Sequence, residues 1–256
     1  MPIHDSSLQL QEQGVALMRD VFAKDSLTRL RAAAHRYFET IRKESPLPTD
    51  YQLGAHSVQL TTLLDFGCNS SEELVAPLAT PGLDRLFSDA IACPWTCNLQ
   101  QSWVRKKDAP LQAYNLQNWH QDGALGVTFP AAAGLVLPMT ELLTCWIPFN
   151  PCGKDSPALE FVLGRQATLL HFTELEDRQL RCRFSPERFW APVLEFGDGL
   201  VFLKDVLHRT YARPEMRYDR LSLEYRIFPQ LMAEASRPGT ACAGLARESC
   251  SAGHRA

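Results

Sequence analysis

Between residues 14 and 44 the chain changes its hydrophobic period. "GVALM" is a short apolar run that reads as a strand, and after "DS" at 25–26 apolar residues recur every three or four positions. Leu27, Leu30, Ala34, Phe38 and Ile41 share one stripe, which predicts an amphipathic helix capped by Asp25 or Ser26 and stopped near residue 44 by "SPLPTD". Two further helical pieces are predicted at "SEELVAPL" and "PGLDRLFSDAIA". From about residue 95 short runs replace the helical period. "TCNLQQSWVR", "LQNWHQDG", "ELLTCWIPFN", "PALEFVLG", "PVLEFGDGLVFL", "LHRTY" and "RLSLEYRIF" read as strands, divided by turn chemistry such as "NPCGKDSP" and "FGDG". Short strands after a helical lead-in predict a mainly β, α+β chain: a sandwich or a jelly-roll barrel with helices packed outside. No repeat of fixed period is visible. The stretch 231–256 is rich in small residues and reads as a flexible tail, leaving 1–230 as a single domain.

Composition narrows the class. With 256 residues, 45% hydrophobic and 21% charged, the chain can bury a substantial core as an ordinary soluble protein. A net charge of −3 gives no reason to expect nucleic acid, and "RKK" at 105–107 is the densest basic spot. No run approaches the roughly 18 apolar residues of a membrane span, and "MPIHDSSLQLQEQG" lacks the order of a secretory signal. The eight cysteines are irregularly spaced, and "CPWTC" has no matching second pair. Reduced thiols in the cytoplasm fit that pattern better than a zinc ribbon.

The candidate chemistry starts at "NWHQDGAL". On a strand, His120 and Asp122 would share a face and could aim at one point. A metal ion needs a third ligand. Of the seven histidines, His4 and His254 lie near the ends, His35 sits on the amphipathic helix as a surface residue, and His56 and His171 lie in loop-like surroundings. His208 ends an apolar strand led in by a Gly-Asp-Gly turn. Two histidines and a carboxylate form a facial triad that leaves three coordination positions open, as in non-haem Fe(II) oxygenases.

Twelve residues beyond His208, "RLSLEYR" alternates, so Arg220, Ser222, Glu224 and Arg226 share one face. If that face looks inward, the fork of Arg220 is suited to the far carboxylate of a diacid. If it looks outward, Arg220, Glu224 and Arg226 form an ion-pair ladder.

Taken together, His120-x-Asp122, His208 and Arg220 make the chain resemble the phytanoyl-CoA dioxygenase family of Fe(II)/2-oxoglutarate-dependent oxygenases over roughly residues 10–230. "GVALMRDVF", "WHQDG", "CWIPFNPCGKDSPALEFVLG" and "GDGLVFLKDVLHRTY" followed by "RLSLEYR" resemble its segments in order. The resemblance implies a double-stranded β-helix, cupin-like core flanked by N-terminal helices. It implies His120, Asp122 and His208 as iron ligands, with 2-oxoglutarate and O2 as co-substrates, and Arg220 as anchor of the C5 carboxylate. It further implies Gln101 in "QQSWV" as a co-substrate contact, Thr144 in "LLTCWIP" as a hydroxyl beside that arginine, and Arg226 near the metal, touching substrate or co-substrate. "LGRQ" at 163–166 departs from the "PGSH" frequent in the family. Related halogenases have a small residue in place of Asp122, so a carboxylate there argues against halogenation.

The implied reaction is hydroxylation of a small-molecule C–H bond, with desaturation, cyclisation or epimerisation as variants. Residues 50–69 are a candidate recognition loop. Two competing readings are a Zn²⁺ hydrolase, which lacks a His-Glu-x-x-His helix and leaves Arg220 unexplained, and a degenerate jelly-roll binding module, against which the intact triad argues.

Overall fold

The computed structural model describes residues 3–44, 56–108, 118–129 and 136–230. The expected tail at 231–256 and residues 50–55 of the candidate loop lie outside the described residues. The chain opens with helix α1 (Ile3–Gln13), which the polar N-terminal pattern did not announce, and strand β1 (Val15–Met18). Helix α2 (Lys24–Glu44) follows as its apolar stripe requires, with Leu27, Leu30, Ala34 and Phe38 buried and His35 at the surface. Strand β2 (Ser57–Gln59) then leads to α3 (Ser71–Val75) and α4 (Pro81–Ile91). The Thr80 hydroxyl caps α4 by accepting from the Leu83 N–H at 3.3 Å.

The remaining strands are β3 (Trp95–Cys97), β4 (Trp103–Lys107), β5 (Leu143–Pro148), β6 (Ala158–Val162), β7 (Phe189–Trp190), β8 (Gly199–Leu203), β9 (Leu207–Tyr211) and β10 (Arg220–Pro229). One sheet runs β1-β8-β5-β10-β4-β2, with β3 also on β10, and the other runs β7-β6-β9. Two sheets with helices packed outside the larger one match the jelly-roll expectation.

Alternation sorts the larger sheet into two faces. On β10 and β5, Leu221, Leu223, Tyr225, Cys145 and Ile147 join the helices in one core. The Tyr225 hydroxyl donates to the Leu74 carbonyl at 2.6 Å to close that layer. Trp146 points the other way, into the core between the sheets with Leu159, Phe161 and Phe202. Arg220, Ser222, Glu224 and Arg226 therefore face inward, and all four are buried. The exterior-ladder alternative does not hold, although Glu224 and Arg226 do pair inside, at 2.7 Å.

Other stretches also differ from the expected pattern. "TCNLQQSWVR" is two strands separated by a 3₁₀ turn, because the Asn98 side chain accepts from the N–H groups of Gln100 and Gln101 and diverts the backbone from the ladder. Only Gly199–Leu203 of "PVLEFGDGLVFL" is strand, since the Asp198 carboxylate draws in the N–H groups of Glu195 and Asp20. Residues 118–123 of "LQNWHQDG" form no strand: His120 makes an isolated bridge and Asp122 opens a 3₁₀ turn. A helix not foreseen, α5 (Asp177–Arg183), packs behind β6 and β9 through Leu180 and Phe184.

Candidate metal centre

His120 and His208 face each other across that isolated bridge, joined by two main-chain hydrogen bonds of 3.0 Å. Two contacts then turn the chain back toward them. The Gln121 amide spans the Thr168 and Asp205 carbonyls and the Leu170 N–H, and the Gly123 N–H donates to the Lys204 carbonyl at 2.8 Å. A Cβ at 123 would lie 2.9 Å from that carbonyl oxygen, so the approach requires glycine. The expected convergence of His120 and Asp122 is present, produced by a turn rather than a strand.

Nε2 of His120 and Nε2 of His208 lie 3.9 and 3.7 Å from Asp122 Oδ1, and the donor atoms of all three residues fall within 4.8 Å of one another. Each ring is oriented from behind. Nδ1 of His120 contacts the Asn118 carbonyl at 2.8 Å and Nδ1 of His208 contacts the Val206 carbonyl at 3.1 Å. A carbonyl only accepts, so each Nδ1 carries a proton, which makes Nε2 the ligating nitrogen of the neutral ring. Burial, reinforced by His120, lowers the His208 imidazole to about 4, so it is neutral and ready to ligate near pH 7.

Asp122 is buried beside the Arg226 guanidinium, which donates to both its oxygens, one bond measuring 3.0 Å. The Thr144 hydroxyl donates to Asp122 Oδ2 at 2.5 Å. Burial alone would raise this carboxyl, but Arg226, then His208, His120 and Thr144, outweigh it and hold it well below the usual carboxylate range. The ionic chain continues across the sheet toward β4: Arg226 pairs with Glu224, which takes a bidentate contact from Arg105 at 2.8 and 3.1 Å.

Thr144 is a correction. It was expected beside Arg220, but the register pairs Thr144 with Arg226, six residues along β10, so its hydroxyl serves Asp122. Arg226 itself lies at the metal end as expected, though its partners are Asp122 and Glu224.

Arg220 lies deeper, 1% exposed, with its guanidinium 5.3 Å above the Trp146 ring. Trp146 is two residues from Thr144 on one face of β5, a rise of about 7 Å, which separates this guanidinium from the ligand cluster. Among the described residues no carboxylate pairs with Arg220: one nitrogen donates to the Ala158 carbonyl at 3.2 Å and Nε has no partner. Burial lowers it to about 10, still charged at neutral pH.

The Ser222 and Thr210 hydroxyls and Gln101 Oε1 are likewise buried without partners. Ser222 shares the Arg220 face of β10, and Thr210 shares the His208 face of β9. Gln101 sits in the turn docked on β10 at Arg226, where the Arg226 N–H donates to the Ser102 hydroxyl at 3.1 Å. Ser222 and Thr210 were missed in the sequence, although the two-residue spacing from Arg220 and from His208 was a usable signal.

Buried polar groups without partners are scarce in folded proteins, and here a lone guanidinium and two hydroxyls accompany an open His/Asp/His triad. This is the constitution of a non-haem iron site suited to a dianionic co-substrate, the class of the Fe(II)/2-oxoglutarate-dependent oxygenases. Residues 10–213 match the family described as phytanoyl-CoA dioxygenase (PhyH), and the chain belongs to it. Its cofactor is Fe(II) and its co-substrate 2-oxoglutarate.

No curated protein sequence matches significantly. Among solved structures, EctD from S. alaskensis in its apoform is similar with a TM-score of 0.65 and 13% identity, over 88% of this chain and 76% of that one. AviO1 from Streptomyces viridochromogenes Tue57 gives 0.60 and 18% over 89% and 95% of the two chains. SnoK, a non-heme alpha ketoglutarate dependent carbocyclase from nogalamycin biosynthesis, gives 0.60 and 17% over 88% and 83%. At these identities the likeness speaks for the fold. Among the described residues no helix is long and apolar enough to cross a membrane.

Proposed function

We propose that the protein hydroxylates an unactivated C–H bond of a small-molecule metabolite, converting 2-oxoglutarate and O2 to succinate and CO2. Fe(II) with 2-oxoglutarate supplies the oxidative decarboxylation that turns dioxygen into an oxidant able to cleave such a bond. His120, Asp122 and His208 hold the metal. Thr144 and Arg226 keep Asp122 ionised and fixed in direction, and the two backbone carbonyls keep both imidazoles in the ligating tautomer.

Arg220 receives the C5 carboxylate, and Ser222 and Thr210 donate to its oxygens. Gln101 is a further polar contact at the metal end. The observation that carries this reading is the buried guanidinium of Arg220, with no carboxylate paired to it among the described residues and its Nε without a partner, in the same interior as the triad, since a buried cation with no paired anion is strongly unfavourable. The free buried thiols Cys68, Cys145 and Cys152 support a reducing compartment, the cytoplasm.

The same centre would serve ring closure or epimerisation, activities named for the similar structures SnoK and SnoN. A metabolite screen that reads succinate and then product mass separates these outcomes. Hydroxylation adds one oxygen to the product, desaturation or ring closure removes two hydrogens, and epimerisation leaves the mass unchanged. Succinate formation that persists in Asp122→Ala refutes the ligand assignment.

A further inference from the structure

His120 is tied to β9 by one pair of main-chain hydrogen bonds, since no strand continues through residues 118–123. A second ionic cluster lies behind the two histidines, its contacts made among Trp119, Glu160, Asp177, Arg181 and Arg209 rather than with the ligand side chains. Two of its members, Trp119 and Arg209, are chain neighbours of the ligands. Trp119, next to His120, donates its indole N–H to Asp177 Oδ1 at 2.9 Å. Arg209, next to His208, reaches the same oxygen at 2.8 Å and stacks 4.6 Å above the Trp119 ring. Arg209 also donates to Glu160 of β6 at 2.8 Å, and Arg181 of α5 contacts both Asp177, at 2.9 Å, and Glu160, at 3.3 Å.

One carboxylate oxygen at the start of α5 thus contacts both histidine-bearing segments, accepting a hydrogen bond from Trp119 and pairing with the Arg209 cation. Helix α5 is seated against them by Leu180 and Phe184, packed with Trp119, Val162 and Leu207. We propose that Asp177 is a positioning residue for the iron centre, fixing the separation of the His120 and His208 segments from behind. This rests on the assignment of the triad as the iron site.

The cluster's exposure separates its two possible effects. The Asp177 and Arg181 side chains are each 44% exposed, so their ion pairs contribute little to global stability. Geometry is different: a metal chelate tolerates little change in ligand spacing, and removing groups that hydrogen-bond to metal ligands typically costs 10–100-fold in affinity. Asp177 acts one residue removed from each ligand, so a loss of about tenfold, the lower end of that range, is expected.

The test is anaerobic Fe(II) binding by equilibrium dialysis, with the melting temperature of each metal-free protein recorded alongside. Asp177→Asn keeps an acceptor for Trp119 but removes the charge facing Arg209, and Trp119→Phe removes the N–H donor together with part of the buried ring. Arg29→Ala breaks a distant pair with Glu73 and serves as control. The expected result is weaker Fe(II) binding in Asp177→Asn and Trp119→Phe, parent-like binding in Arg29→Ala, and melting temperatures close to the parent in Asp177→Asn and Arg29→Ala. Parent-like Fe(II) affinity in folded Asp177→Asn overturns the proposal, and if that variant does not fold, the affinity of Trp119→Phe decides in the same way. Failure of the parent itself to bind Fe(II) would sink the iron assignment instead.

Discussion

Replacing Arg220 with methionine should make the metal-free protein more stable and its co-substrate binding much weaker. Burial, with Arg105 adding to it, lowers the guanidinium from 12.5 to about 10, which corresponds to about 3 kcal/mol against the charged form. That cost stands in the co-substrate-free protein because Glu224 offsets it only in part and no carboxylate pairs directly with the guanidinium among the described residues. An apolar side chain of similar length removes it, and exchanges of buried charge for packed apolar groups stabilise by about 1–4 kcal/mol in favourable cases. Binding of 2-oxoglutarate reverses the balance, because its C5 carboxylate recovers about the same 3 kcal/mol, a factor on the order of 100 in affinity. Urea unfolding of the metal-free protein measures the first effect, and 2-oxoglutarate titration of the anaerobic Fe(II) protein measures the second. An Arg220→Met protein that is less stable yet binds 2-oxoglutarate as the parent does would refute the reasoning.

Other perturbations act at the metal end. Arg226→Ala leaves Asp122 and Glu224 buried without the cation between them, so urea unfolding should show a loss of about 3–5 kcal/mol. Thr144→Val removes the hydroxyl on Asp122 and should weaken Fe(II) binding about tenfold while leaving 2-oxoglutarate affinity in the Fe(II)-saturated protein nearly unchanged. A strong loss of co-substrate affinity would return Thr144 to the Arg220 end. His208 takes a proton near 4 when folded and near 6.5 when unfolded. The unfolded chain therefore binds more protons between those values, so stability of the metal-free protein is full above pH 6.5 and falls toward pH 4, by about 3 kcal/mol in all. Urea midpoints that do not move between pH 7 and pH 5 would contradict this.

Much of the site was legible because strand alternation is a strong constraint. The period of "RLSLEYR" separated Arg220 and Arg226 from Leu221, Leu223 and Tyr225, and the sheet keeps them on opposite faces. The pattern could not say which face looked inward, since that depends on helices far away in sequence covering the apolar side. His120 and Asp122 were found for a partly mistaken local reason, because the side-chain demands of Gln121 and the close approach at Gly123 convert the expected strand into a turn. Thr144 was misplaced because cross-strand register is invisible without the partner strand. The cluster at Asp177 was unreadable for a related reason: α5 is short, mostly polar and held largely by residues of other elements.

The most direct test of the iron centre is an anaerobic Fe(II) titration followed by absorption spectroscopy with and without 2-oxoglutarate. The account predicts one Fe(II) per chain and a weak visible metal-to-ligand band that requires both components and disappears in His208→Ala. A parent protein without that band, or a His208→Ala protein that keeps it, would contradict the convergence of His120, Asp122 and His208 on one iron.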